Sequence, residues 1–356
     1  MMAPLTPHLL WDWGTAYDLF ASLHVLHDPD KFGLRGSWAA GVRSRLNPPQ
    51  RTILEDAQEL FLSPLTWLYN LPAPKDAASA LWALGQLAPV ERLPTLAIHH
   101  TEESPELAEV LKGVSARQAW NETDLERLKH YHQQKGGSSN PKMLANTLEW
   151  WSHPAEFGER YLAALQAYFA VFFAEEERRI YPVLQQALMR AQELATQLDF
   201  HNLVVELSQG LMIAELAQAT EVVFVPSYWI TPLVIYEHIT AERMLLLFGG
   251  RPAEAALVPG ETVPDAMQRA LKALSDPTRL RILRYLTDQP LTPSQLSRLL
   301  RLRAPTVIHH LNSLRLAGLV YVSLDVDGEK RYTIREAAVE DTTEALRKFL
   351  VVRNER

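Results

Sequence analysis

The order of apolar and polar positions divides the chain into a long helical part, a stretch of short strand-like runs, and a helix-and-hairpin part at the end. Residues 51–69, 74–87 and 121–134 alternate apolar and polar side chains at helical spacing. The longest helical tract covers 154–198, with Phe157, Tyr161, Leu165, Phe169, Phe172, Leu184, Leu188, Ala191, Ala195 and Leu198 in its stripe. Pro182 has no amide hydrogen and crowds the carbonyl four residues earlier, so a kink or division is expected near Tyr181. The run from Glu175 through Glu176, Glu177 and Arg178 to Arg179 reads as a solvated face, with Glu175 placed to pair with Arg179.

After Gly210 the texture changes. Residues 211–216, 221–226, 232–238 and 243–248 are short, rich in Val, Ile and Leu, and separated by Pro, Ser, Thr or Ala. They predict a small antiparallel meander. Residues 251–264, RPAEAALVPGETVP, hold three prolines and no amphipathic period, and read as a linker. A flexible loop is expected at 135–141, KGGSSNP. The expected fold is mainly α with small antiparallel sheets. An α+β domain occupies 1–250, helical over 1–209 with the meander at 211–249. The linker 251–264 follows, then a C-terminal domain of helices and a hairpin over 265–356, and the fragment 262–356 should work separately.

In that last part the capping signals are dense. A helix over 266–274 carries Met267, Ala270, Leu271 and Leu274 on one side. Asp276-Pro277 then supplies an N-cap and an N1 proline for a helix over 278–286, and Thr292-Pro293 repeats the device for 294–301. A short turn through Leu302 and Arg303 leads to a fourth helix ending at Ala317, with Gly318 at the left-handed position. Residues 319–324 and 330–334 flank Asp325-Val326-Asp327-Gly328-Glu329, a hairpin with an Asp-Gly turn that makes a wing. A final helix covers 337–352. Two helices joined by a short turn, followed by a hairpin, present the second helix to a major groove. Val307, Leu311 and Leu314 face the core. Pro305, His309 and Asn312 point the other way, flanked by Thr306 and Ser313, and suit base edges. Arg298, Arg301, Arg303 and Arg315, with Lys330 and Arg331 on the wing, suit phosphates.

Charge supports this division. The net charge is −7, yet from Thr262 onward 16 Lys and Arg face 11 Asp and Glu. Between Arg279 and Arg315 stand seven arginines and one acid, Asp288. A basic patch on an acidic chain points to duplex DNA as its partner. The same winged helix used for protein contact is the alternative, and it leaves the arginines without a reason. With no cysteine in the chain, disulfides and thiolate metal sites are excluded. Residues 1–10 do not read as a signal peptide, and the longest apolar runs fall far short of a membrane span. A soluble, cytoplasmic protein is expected.

The strings LKALSDPTRLRILRYL (271–286), LSRLLRLRAPTVIHHLNSLRLAGLV (296–320) and GEKRYTI (328–334) resemble the ArsR family of bacterial winged-helix regulators, over about 85 of the 356 residues. The resemblance implies a homodimer through the first and last helices of the module, bound to a palindromic operator. Met267, Leu271, Leu274, Leu346, Phe349 and Leu350 are the candidate interface, because they exceed what a lone winged helix buries. The chain departs from the family at Arg303, where a polar N-cap is usual, and at Ile308, where a serine is usual. Many relatives sense metal through a cysteine pair or through Asp and His on the last helix. Neither is available here, since 337–356 holds no histidine, so no metal or other cofactor is expected. Residues 11–24, WDWGTAYDLFASLH, resemble the opening of long regulators that place a large domain before such a module.

The N-terminal 250 residues carry no GxSxG, HExxH or Gly-rich phosphate loop, and no catalytic residue is assigned. His24 and His27 are spaced as a ligand pair, or as an ordinary helix end. His99-His100 and His130 with His132 suit surface roles. Trp11, Trp13, Tyr17, Trp38, Trp67, Trp82, Trp150 and Trp151 either line an apolar pocket or fill the core. Two readings follow for this part: a sensor or dimerisation module, or an enzyme feeding the winged helix. The missing motifs favour the first, with a small-molecule effector as a candidate partner.

Overall fold

The computed structural model describes residues 6–32, 34, 36–61, 63–98, 105–134, 140–252, 255, 263–324 and 330–351. Strand β1 (His8–Trp11) opens the chain, followed by α1 (Thr15–His27), a 3-10 turn at Pro29–Phe32, α2 (Gly36–Arg43), α3 (Pro48–Leu60) and α4 (Leu65–Asn70). Next come α5 (Ala77–Gln86), α6 (Pro89–Ala97), α7 (Pro105–Arg117), α8 (Glu122–Gln134), α9 (Pro141–Ser152) and α10 (Pro154–Tyr168). A π turn at Phe169–Phe173 joins α10 to α11 (Ala174–Gln197), and α12 (Phe200–Leu207) ends the helical body. The strands β2 (Leu211–Ile213), β3 (Glu221–Ser227), β4 (Ile235–His238) and β5 (Arg243–Gly249) lead to α13 (Asp265–Leu274). Helices α14 (Pro277–Leu286), α15 (Pro293–Leu300) and α16 (Ala304–Leu316) precede β6 (Val320–Leu324), β7 (Lys330–Ile334) and α17 (Glu336–Val351). The fold is mainly helical with small sheets, as expected. The sheets are mixed rather than antiparallel.

The meander expected over 211–249 is corrected by the strand order β1-β3-β5-β4. Strands β1, β3 and β5 run parallel, and only β4 is antiparallel, on the outside of β5. Both faces of this sheet are buried. Val223, Val225, Leu245 and Leu247 face the helical body, where Tyr17, Phe20, Trp151, Tyr161 and Tyr168 fill a large core. Val222, Phe224, Met244, Leu246 and Phe248 face a second core that also contains Ile282, Leu296, Val307, Leu311 and Leu314 of the C-terminal part. A strand covered on both faces needs a continuous apolar run, and VVFV and MLLLF are such runs.

Strand β2 does not join this sheet. It pairs in parallel with β6, with Leu211 opposite Val322, and Val322 donates its amide to Gly210 O at 2.8 Å. The second sheet therefore has the order β2-β6-β7, and residues from the expected N-terminal domain complete the C-terminal hairpin. Most of the expected linker and the loop 135–139 lie outside the described residues. Arg251, at the linker's start, is buried. It donates to Thr231 O at 3.3 Å and stands 3.9 Å from the Asp265 carboxylate of α13. The expected boundary is thus bridged by strand pairing, a shared core and an ion pair.

Helix α11 runs through Pro182, correcting the expected division there, and the interruption falls at the π turn. Pro182 is exposed and lacks an amide hydrogen, so the Arg178 carbonyl has no helical donor from it. The charged run also differs from a solvated face. Glu176 is buried and binds Arg179 at 2.5 Å, while Glu177 accepts from Thr15 Oγ1 at 2.5 Å and from the Ala77 amide at 2.9 Å. Most of the aromatic set is core, with Trp38 stacked on Trp229 at 5.4 Å, whereas Trp82 is 69% exposed.

At the carboxyl end of β3, the buried Asp18 of α1 accepts from Ser227 Oγ at 2.6 Å and from the amides of Trp229 at 2.9 Å and Tyr228 at 3.2 Å. Burial pushes its carboxyl up from 3.8 to about 6, although all three hydrogen bonds pull the other way. The folded state therefore holds this proton more tightly than the unfolded chain. Its stabilising effect is complete below pH 3.8 and is lost as the pH rises through about 6. Relative to Asp18→Asn, the wild-type chain should lose stability between pH 4 and 6.5, as measured by urea unfolding at each pH. A difference that stays constant over this range would refute the assignment.

Candidate nucleic-acid interface

Local capping builds the C-terminal helices. Asp276 Oδ1 accepts from the amides of Thr278 at 2.8 Å and Arg279 at 3.0 Å, starting α14 behind Pro277. The bond from the Arg279 amide leads the effects that hold this carboxyl below its ordinary range. Thr292 and Gln295 form a reciprocal capping box at α15, again with a proline at the first position. Arg301 ends α15 in the left-handed region, at φ 57°, a conformation that costs a non-glycine residue about 1 kcal/mol. That turn sets a long cationic side chain between the two helices. Arg303 then takes the N-cap position of α16 without a side-chain cap bond, which leaves the helix start open.

In α16, Val307, Leu311 and Leu314 are fully buried, as the spacing predicts. Pro305, Thr306, His309 and Asn312 are exposed together on the other side. Ser313 is half-buried and donates its hydroxyl back to His309 O at 3.1 Å. Ile308 is exposed at the flank of the helix.

The seven arginines separate into two groups. Arg281, Arg284, Arg298, Arg301 and Arg303 are exposed. Arg279 instead donates to Lys272 O at 3.1 Å and closes the end of α13. Arg315, expected at a phosphate, is half-buried, and burial lowers its pKa while Tyr332 and Tyr236 act against that shift. Tyr236 belongs to β4 of the N-terminal sheet. Arg281 and Arg284 had no assigned role in the sequence, where only the charge count pointed to them.

Strands β6 and β7 pair antiparallel from Val320 opposite Ile334 to Leu324 opposite Lys330. The expected Asp-Gly turn at 325–329 lies outside the described residues. Lys330 is exposed and Arg331 half-buried. Of the expected interface residues, Met267 is buried inside the chain, while Leu271, Leu274 and Leu346 are half-buried. Phe349, Leu350 and Val351 are 39%, 71% and 73% exposed, so α17 ends in an uncovered apolar tip.

His24 lies against the Phe32 ring at 5.6 Å, and His99-His100 fall outside the described residues. No group of three His, Asp or Glu among the described residues is placed to hold a metal ion. No helix among them is long and apolar enough to cross a membrane.

Residues 276–322 match the family model described as "Bacterial regulatory protein, arsR family". The match runs from the Asp276 cap through α14, α15 and α16 into β6. No curated protein matches the chain. Residues 276–322 are thus similar to the ArsR-family helix-turn-helix, which supports a DNA-binding role for this part of the chain.

Proposed function

We propose that the protein is a sequence-specific transcriptional regulator that binds a palindromic operator as a homodimer. Its N-terminal body fixes the dimer or senses a signal, and acts by binding rather than by catalysis. The observation that carries this reading is the joint exposure of Pro305, Thr306, His309 and Asn312 on α16, beside Arg298, Arg301 and Arg303. Small polar groups and an imidazole suit base edges, and guanidinium groups suit the flanking phosphates. The hairpin β6–β7 serves as the wing.

Selection of bound sequences from random duplex DNA tests specificity. His309→Ala should alter the preference at one base pair of each half-site by about 1–3 kcal/mol and leave non-specific affinity intact. An unchanged preference profile would remove His309 from the reading face.

The apolar tip of α17, together with Leu271 and Leu274 of α13, is the proposed dimer contact. Phe349→Asp should give a monomer in sedimentation and lower affinity for a palindrome about a hundredfold, because two half-sites are no longer engaged together. A monomeric wild-type chain that binds a palindrome tightly would sink the dimer.

A further inference from the structure

Ile308 is 43% exposed on α16 and, among the described residues, packs into neither apolar core. Residues three and four apart are neighbours on a helix surface, so Ile308 stands in one row with Pro305 and Asn312. The adjacent row holds Thr306, His309 and Ser313. Both rows turn away from Val307, Leu311 and Leu314, which are fully buried. The outer side of α16 is therefore divided. An apolar edge of Pro305 and Ile308 runs beside a polar edge of Thr306 and His309.

A lone apolar side chain on a surface needs no explanation. This one lies on the face proposed to read bases, where its chemistry restricts what it can meet. Base edges in the major groove present hydrogen-bond donors and acceptors, and a single apolar group, the C5-methyl of thymine. An isoleucine can pair with none of the polar atoms, so it disfavours a base pair that brings only those against it. It gains where a methyl is buried against it. Branching at Cβ leaves isoleucine essentially one χ1 rotamer in a helix, so the side chain is held in place before contact and loses little entropy on binding.

We infer that Ile308, with Pro305 beside it, reads the C5-methyl of a thymine at one fixed position of each half-site. The inference rests on the regulator reading above and adds the base that this edge of α16 selects.

The probe is a duplex recovered by the full chain from random DNA, with each thymine replaced in turn by deoxyuridine. That exchange removes the methyl and keeps the pairing edge. At the position that Ile308 reads, one replacement should lower affinity about fourfold, the worth of burying one methyl group. Cytosine and 5-methylcytosine placed there, each paired with guanine, give the same contrast on another base, with the methylated duplex bound about fourfold more tightly. Ile308→Ser should abolish both contrasts, and Ile308→Val should keep part of each. Because Ile308 packs into neither core, Ile308→Ser should unfold at the urea concentration of the wild type. A wild-type chain that binds the recovered duplex yet ignores every deoxyuridine overturns the thymine reading, as does Ile308→Ser with both contrasts intact. In either case the regulator reading stands. A chain that recovers no duplex overturns the regulator reading, and the thymine reading falls with it.

Discussion

Raising the salt from 50 to 200 mM should cost the protein about a thousandfold of its affinity for duplex DNA. Three exposed arginines, Arg298, Arg301 and Arg303, lie at the turn between α15 and α16, and the proposed dimer would present them twice. About six phosphate contacts give a slope of roughly −5 in log affinity against log salt, which over a fourfold change in salt is about three decades. Replacing Arg301 and Arg303 together by alanine should leave about two contacts, reducing the slope to roughly −2 and the same loss to about tenfold. Arg315→Ala should lower the slope less than the loss of an exposed arginine does, because that side chain is half-buried. Fluorescence anisotropy with one labelled duplex at a series of salt concentrations measures all three. A flat profile in the wild-type chain would remove α16 from the phosphate backbone altogether.

That contrast between Arg301 and Arg315 marks what the sequence could and could not convey. The helix-turn-helix was legible because its determinants are local: Asp276-Pro277 and Thr292-Pro293 act within three residues, and Val307, Leu311 and Leu314 repeat within one helix. Charge counting found a basic segment, but it carries no direction, so it could not separate Arg279 and Arg315 from the exposed arginines. The N-terminal sheet failed for a different reason. Short apolar runs fit a meander when only spacing is weighed, yet the continuous apolar character of β3 and β5 signals burial on both faces. Strand β1 is only four residues long, and its pairing with β3 joins positions more than two hundred residues apart, so no local pattern announces it. The attachment of β2 to β6 is equally non-local. Its one local sign is Gly210, between the end of α12 and the strand.

Gly210→Val should destabilise the protein by roughly 2–5 kcal/mol and loosen the DNA-binding part together with the body. Gly210 sits at φ +98°, and a Cβ there would meet Tyr321 Cδ1 at 2.4 Å and Tyr321 Cα at 3.3 Å. A valine thus combines backbone strain with overpacking at the point where Gly210 O receives the Val322 amide. Gly318→Ala is the comparison: its φ of +72° carries a similar backbone penalty, but nothing lies within 4 Å of the added carbon, so about 1 kcal/mol is expected. Two probes separate the halves of the molecule. All nine tryptophans precede residue 230, so their fluorescence follows the body alone, while amide exchange in residues 277–316 follows α14 to α16. If β2 and the shared core couple the two parts, Gly210→Val should shift the tryptophan transition and speed exchange in 277–316 by matching free energies. A winged helix independent of the body would instead keep its exchange rates while the tryptophan transition moved. In that case residues 262–356 would work as a separate fragment, and the pairing of β2 with β6 would carry no coupling between the two parts.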